Sequence, residues 1–158
     1  MLPSTFRIVR SISIAQTPQT LFAFMSNLHR FHEWSPWQHL DPNMKRVLAG
    51  TPGQIGSSHS WHGNSKAGEG SMTITSLESP QKIEIDLNFI KPFKSSNKTI
   101  WQIEDLGQGQ SKVTWIMTGE LTSFFHKLFA LLAMNRLVGK DFEKGLAKVK
   151  AVLEKKSN

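Results

Sequence analysis

Hydrophobic and polar residues follow a helical pattern in the last part of the chain and a two-residue alternation in most of what precedes it. Over residues 121–155, apolar positions recur at steps of three and four, which places them on one side of an α-helix. Lysine and glutamate occupy the opposite side. This pattern predicts an amphipathic helix that must cover another apolar surface. The stripe in its second half consists of Val138, Phe142, Leu146, Val149 and Leu153.

Upstream of this helix, short segments alternate between apolar and polar residues, the pattern of strands with one buried face. The clearest one places Ile83, Ile85, Leu87 and Phe89 between acidic and amide residues. Arg10 is an exception, because it falls on the apolar side of the first strand. Glycine and proline clusters separate the segments. Seven strands are predicted, at 6–14, 44–48, 57–62, 71–77, 83–89, 99–103 and 113–117.

Two short helices are predicted between the first and second strands. Thr17-Pro18 is typical of a helix start, with threonine as the N-cap and proline at the first helical position. A second helical turn is expected over residues 28–34. It ends before Pro36, because the residue preceding a proline is disfavoured in the helical region.

Composition fits one soluble globular domain over residues 1–158. The chain has 39% hydrophobic and 20% charged residues, which suits a protein that buries a core. It contains no cysteine, which excludes disulfides and thiolate chemistry and fits a reducing compartment. The first residues lack the apolar core of a signal peptide, and the longest apolar run, 128–134, is too short to cross a bilayer. We therefore expect a cytoplasmic protein.

The formal net charge of +7 raises the question of a nucleic-acid or anionic-membrane partner. Many lysines, however, lie on the polar side of the last helix and in Lys155-Lys156, as expected for a solvated face. No zinc-finger spacing, recognition helix or aromatic RNA-binding signature accompanies them. No nucleic-acid partner is predicted.

The order of these elements predicts an α+β domain in which the last helix lies across the concave face of a bent antiparallel sheet. Such packing leaves a cavity between helix and sheet, and apolar cavities with few polar groups are where small ligands bind.

A series of short motifs is spread over residues 6–154. They are Phe6-Arg7-Ile8-Val9-Arg10-Ser11-Ile12, Ala15-x-x-Pro18-x-x-Leu21-Phe22, Trp34-Ser35-Pro36-Trp37, Asp41-Pro42, Gly50-x-x-Gly53, Trp61-x-Gly63, Gly68-Glu69-Gly70, Val113-Thr114-Trp115 and Asp141-Phe142-x-x-Gly145-Leu146. Together they resemble the motifs of a known family, the polyketide cyclase/dehydrase-like branch of the SRPBCC (START-like) superfamily. The resemblance implies a helix-grip fold, with a curved seven-stranded sheet gripping a long C-terminal helix around a hydrophobic ligand cavity. Because this family includes lipid carriers, plant allergens and aromatase/cyclases, the resemblance leaves the activity open.

Large side chains are expected to face this cavity if strand alternation holds. The chain has five tryptophans and no tyrosine, which favours aromatic walls and flat or apolar ligands and removes a common general acid. For each residue the alternative is an ordinary core position. The cavity is predicted to be lined by Trp34, Trp37, His59, Trp61, Met72, Phe89, Trp101, Trp115, Met117, Phe142 and Leu146.

His59 is the only residue titrating near neutral pH that is predicted to face the cavity. It is a weak candidate for a general base, because the sequence shows no carboxylate that must orient it. A satisfied interior histidine is the alternative. His29 and His32 have helical spacing, but no metal-binding signature occurs, so no metal and no cofactor are predicted.

Three functions remain open. The first is noncatalytic binding or carriage of a hydrophobic small molecule, such as a lipid, isoprenoid, quinone or polyketide-like aromatic. The second is a cyclase or dehydratase-like enzyme that uses His59. The third is an interaction protein that contacts a membrane, a partner or a second copy through segment 121–134, whose apolar residues exceed one stripe. This segment and the later stripe fit either one long helix or two helices with a break near 135–139.

Overall fold

The structure is a computed structural model that describes residues 5–91, 94–120 and 127–155, with the backbone alone over 127–135. Its strands form one antiparallel sheet in the order β1-β7-β6-β5-β4-β3-β2, so consecutive strands pair from β2 to β7 and β1 pairs with β7. This confirms the predicted α+β helix-grip architecture. The strands are β1 (Thr5–Ile14), β2 (Lys45–Ala49), β3 (Ser58–His62), β4 (Glu69–Glu78), β5 (Lys82–Lys91), β6 (Ser95–Gly107) and β7 (Gln110–Glu120).

Short helices connect β1 to β2. Helix α1 (Pro18–Ser26) begins at the N-cap Thr17, whose hydroxyl accepts a hydrogen bond from the Thr20 amide at 3.3 Å. A 3-10 helix, Leu28–Glu33, follows and is capped by Trp34. The hydrophobic pattern does not predict a further 3-10 helix, Gln38–Leu40, because three residues are too few to show a period.

Helix α2 (Lys127–Lys155) closes the fold as one continuous helix, without a break at 135–139. It lies against β1 and β7. Phe142, Leu146, Val149 and Leu153 are buried, which confirms the predicted stripe. The predicted helical residues 121–126 and the side chains of the apolar segment up to 134 lie outside the described residues. Among the helices that are described, none is both long and apolar enough to cross a membrane.

Arg10, the exception in the β1 pattern, interacts with α2. Its guanidinium lies against Gly139, where the helix has no side chain to obstruct it. Its Nε atom is 3.3 Å from Oε1 of Glu143, one helical turn further on. The charged end of the arginine therefore covers a glycine of α2 and forms an ion pair on the next turn of the same helix.

The inner face of the sheet and the apolar side of α2 form a single core. Met72, Ile74, Ile85 and Leu87 alternate with more exposed residues along β4 and β5, as predicted. Leu21 and Met25 of α1 complete this core. The packed core occupies only part of the space between sheet and helix, and the rest is the cavity described next.

Candidate functional site

A cavity of about 370 Å³ lies between the inner face of the sheet, α2 and the chain segment 31–44. Its lining is mainly apolar and aromatic, and its volume is within the range of pockets that bind small molecules. Side chains of β3, β4, β5 and β7 form one wall, and α2 forms the other. Of the residues predicted to line a cavity, Trp37, His59, Trp61, Met72, Phe89, Trp115, Met117 and Phe142 do so.

Trp34, Trp101 and Leu146, which were also predicted at the cavity, are buried in the core and are not among its lining residues. Trp34 packs edge-on against Trp101 at a centroid distance of 4.8 Å, and each lies 5.6 Å from Trp115. These three rings pack against one another, and this packing keeps Trp34 and Trp101 from lining the cavity. Strand alternation predicts the face that a side chain occupies, but not whether a neighbouring ring covers it.

Several lining residues were not among the predicted site residues. Leu87 and Thr99 share the inward face of their strands, so alternation could have identified them. Val138 and Asp141 lie beside Phe142 on α2, and helical spacing could have identified them as well. The others lie in loops, at a strand end or in 3-10 segments, where no period signals orientation: Phe31, Ser35, Gln38, Leu40, Met44, Lys66, Ala67 and Lys91.

The turn 34–37 is attached to one side of α2. The Trp37 indole N–H donates to Oδ2 of Asp141 at 3.0 Å, and the Lys148 ammonium donates to the Ser35 carbonyl at 3.0 Å. Between them, Gly145 leaves room for Pro36 and for the ring of Trp115. Helical spacing brings positions 141, 145 and 148 to the same side of α2, so three residues of one helix determine where the Trp37 wall lies.

Aromatic stacking joins this wall to the sheet. Trp115 lies parallel to Phe142 of α2 at a centroid distance of 4.3 Å, with 8° between the ring planes. Trp37 contacts both rings edge-on, at 5.8 Å from Trp115 and 6.3 Å from Phe142. The cavity therefore has a continuous aromatic side formed by a loop, a strand and a helix.

The opposite side is formed around Trp61 of β3. Its indole N–H donates to the Ala67 carbonyl at 3.0 Å, and its ring lies over Gly70, where a Cβ atom would collide with it. Phe89 contacts Trp61 edge-on at 5.8 Å. The neighbouring lining residues Lys66 and Lys91 are exposed. Positive charge therefore lies where the cavity meets solvent.

His59 is the buried titratable group of this site, with 5% of its surface exposed. Its ring contacts Phe31 edge-on at 5.8 Å and lies roughly parallel to Trp61 at 6.3 Å. Neither ring nitrogen has a hydrogen-bond partner among the described residues. Burial, with a smaller contribution from the positive charge of Arg46, lowers the pKa of His59 to about 4. The ring is therefore neutral near pH 7, with one nitrogen able to donate and the other able to accept.

The other histidines considered for metal binding are not part of this site. His29 Nε2 lies 3.2 Å from the Ala49 carbonyl oxygen, and His62 Nδ1 lies 3.2 Å from Oε2 of Glu69 on the adjacent strand. Within the described part of the chain, no three His, Cys, Asp or Glu side chains lie close enough together to hold a metal ion.

A seven-stranded antiparallel sheet that grips a C-terminal helix around an apolar cavity defines the helix-grip class of proteins. The chain belongs to the family described as polyketide cyclase / dehydrase and lipid transport, whose sequence model matches residues 5–154. It is thus a member of the polyketide cyclase-like branch of the SRPBCC superfamily, as the sequence motifs indicated. A comparison with curated proteins gives no match.

Solved structures with the same fold share little sequence with this chain. The di-domain ARO/CYC StfQ from the steffimycin biosynthetic pathway superposes with a TM-score of 0.70 at 11% identity, over 98% of this chain and 52% of StfQ. Ginseng major latex-like protein 151 from Panax ginseng gives 0.66 at 13% identity, over 94% and 97%. The Aha1 dimer from Colwellia psychrerythraea gives 0.62 at 16% identity, over 94% and 96%. At such identities the similarity establishes the fold alone.

Proposed function

We propose that this protein is a single-domain, noncatalytic carrier that binds one hydrophobic small molecule in the cavity between the sheet and α2. The observation that carries the proposal is a cavity of about 370 Å³ lined mainly by apolar and aromatic side chains in a folded core. Lipids, isoprenoids, quinones and polyketide-like aromatics are the candidate ligand classes. Flat aromatic ligands fit best, because rings of Trp37, Trp61 and Trp115 face the space. A chain without cysteine suits action in the reducing cytoplasm.

The state of His59 favours binding over catalysis. A histidine with a pKa of about 4 is a weak base near pH 7 and is almost never protonated there, so it serves poorly as a general base or as a general acid. No carboxylate among the described residues is hydrogen-bonded to its ring. A catalytic histidine normally has such an orienting partner.

A cyclase or dehydratase-like enzyme is the second candidate, because His59 lines the cavity wall. It predicts that a bound polyketide-like substrate leaves chemically changed, by loss of water for a dehydratase or as a cyclised isomer of equal mass for a cyclase, and that His59→Phe stops this conversion. The carrier proposal instead predicts that the ligand is recovered unchanged from wild type and from this variant.

Native mass spectrometry of gently purified protein tests the carrier proposal. The expected result is a stoichiometric mass excess that disappears on denaturation, which also identifies the ligand class. A cavity-filling variant, Val138→Trp, should lose the excess, because Val138 lines the cavity. Its matched control is Leu137→Trp, at the adjacent α2 position that is 63% exposed, and this variant should retain the excess.

Two results would contradict the proposal. One is a wild-type protein that is bare when isolated and stays bare after exposure to a cell extract of apolar small molecules. The other is an equal mass excess in wild type and folded Val138→Trp, which would locate the bound molecule outside the cavity.

A further inference from the structure

We propose that His59 is the recognition residue of the cavity and that it hydrogen-bonds a hydroxyl group, so that the ligand is a phenol or a polycyclic alcohol. This inference rests on the proposed function and specifies the ligand of the same site.

Both nitrogens of His59 are buried without a partner among the described residues. A buried polar group left unpaired destabilises the fold, so a ligand that supplies a partner there gains affinity. The indole N–H groups of Trp34, Trp101 and Trp115 also lack a partner among the described residues. Trp34 and Trp101 do not line the cavity, and Trp115, which does, can donate a hydrogen bond but cannot accept one. His59 also lines the cavity, and its ring offers both a donor and an acceptor.

A hydroxyl group is the partner that this histidine fits best. A neutral imidazole has one N–H donor and one acceptor nitrogen, and a hydroxyl group can pair with either. A ketone or ether oxygen only accepts, so it pairs with one tautomer of the ring, whereas a hydroxyl group pairs with either tautomer. A carboxylate would bring a buried charge that needs a counterion. The lysines of the cavity lining, Lys66 and Lys91, are exposed to solvent, so they suit an acid at the surface of the protein rather than one beside His59.

The surroundings of His59 favour a hydroxyl group carried on a ring. Phe31 presents an edge-on contact to the imidazole, and Trp61 lies roughly parallel to it. Phe89 extends this aromatic wall from Trp61. Flat rings gain contact area and ring–ring attraction against such walls. A saturated chain gains only the contact area.

Matched aromatic probes test this inference directly. The probes are 2-naphthol and 9-phenanthrol, each compared with the analogue in which methyl replaces hydroxyl. Binding is measured by isothermal titration calorimetry on the full chain. A net hydrogen bond of about 1 kcal/mol corresponds to an affinity ratio of about fivefold in favour of the hydroxyl compound.

Variants of His59 test whether its imidazole ring causes the preference for the hydroxyl compound. His59→Phe keeps an aromatic ring and should bind both members of each pair equally well, whereas His59→Gln keeps a donor and an acceptor and should retain part of the preference. His62→Phe is the matched control, because His62 lies on the same strand, is exposed and is not a lining residue. In wild type, the ¹⁵N shifts of the His59 ring should move with 2-naphthol and stay nearly unchanged with the methyl analogue.

Each outcome bears on one proposal or on both. Equal binding of the hydroxyl and methyl probes to wild type overturns the role of His59 and leaves the carrier proposal standing. The same holds if folded His59→Phe keeps the full preference. Failure of every probe to bind wild type also overturns the role of His59, and contradicts the carrier proposal as well only if the native mass spectrum shows a bare protein.

Discussion

Single hydrogen bonds orient two of the three tryptophans in the cavity wall. The indole N–H of Trp37 donates to Asp141, and that of Trp61 donates to the Ala67 carbonyl. The third ring, Trp115, has no hydrogen-bond partner within the described residues and is oriented by stacking on Phe142 instead. His59 likewise has no hydrogen-bond partner among the described residues, but unlike Trp115 it can accept as well as donate a hydrogen bond.

Burial of His59 should make the stability of the protein depend on pH. Its pKa is about 4 in the folded protein against 6.5 for the free side chain, so below pH 6.5 the unfolded chain takes up a proton that the folded chain resists. Its contribution to stability is complete above pH 6.5 and is lost as the pH falls toward 4. Between pH 7 and pH 5 the loss amounts to about 2 kcal/mol.

Urea unfolding of wild type and His59→Phe at pH 7 and pH 5 measures this contribution. The decrease in unfolding free energy between the two pH values should be smaller in His59→Phe by about 2 kcal/mol. His39→Phe, which removes an exposed histidine outside the cavity lining, should show the same pH dependence as wild type. An identical pH dependence in wild type and His59→Phe would show that His59 is not buried in its neutral form.

At the scale of elements, two glycines of α2 allow close packing for different reasons. At Gly145 an added Cβ atom would lie 2.8 Å from Cζ3 of Trp115 and 3.2 Å from Cδ of Pro36, and both groups belong to the packed wall of the cavity. At Gly139 the obstacle is the guanidinium of Arg10, the end of a flexible side chain. Only at Gly145 does the missing side chain let α2 pack against groups that have no room to move.

Alanine substitutions should therefore have opposite effects at the two positions. Alanine favours a helix interior over glycine by about 1 kcal/mol at either site. At Gly145 the collision should outweigh this gain and lower the unfolding free energy by about 1–3 kcal/mol. At Gly139, Arg10 can move aside, and its surface ion pair with Glu143 is worth less than about 1 kcal/mol. Gly139→Ala should thus be as stable as wild type or more stable.

Chemical denaturation of the two variants, with helix content checked by circular dichroism, distinguishes these cases. Equal stability changes at the two positions would contradict the different roles assigned to Trp115 and Arg10. A shift in tryptophan emission is expected only for Gly145→Ala, because Trp115 is the ring that the new methyl group displaces.

At the scale of the whole molecule, the cavity lies within the folded structure, so its occupancy and folding are coupled. A ligand that binds only the folded state stabilises it by about 2.7 kcal/mol at 100 times its Kd. For a domain of this size, that corresponds to a rise in Tm of about 5–10 °C. Thermal unfolding with increasing 2-naphthol should show this rise in wild type and Leu137→Trp, and a smaller one in Val138→Trp. An equal rise in all three proteins would indicate binding elsewhere on the surface.

Local patterns predicted the strands and helices well, because the pattern of each depends on residues that are close together in the chain. The alternation in 83–89 corresponds to β5, and the Thr17 N-cap and the α2 stripe are where their patterns place them. Site residues were harder to predict. Trp34 and Trp101 have the same residue type and pattern as other wall tryptophans, yet neighbouring rings enclose them. Lys66 and Met44 reach the cavity from loops, where no period signals orientation.

The sequence alone determined which segments form strands and helices, which face of each is apolar and which family the motifs resemble. The elements and their apolar faces depend on residues close together in the chain, so they can be read from spacing, whereas the family was indicated by the resemblance of its motifs. The tertiary structure decided which aromatic rings border open space and that α2 continues through 135–139. It also decided that His59 is buried among Phe31 and Trp61 without a polar partner among the described residues. These properties depend on contacts between residues far apart in the chain, which local spacing does not encode.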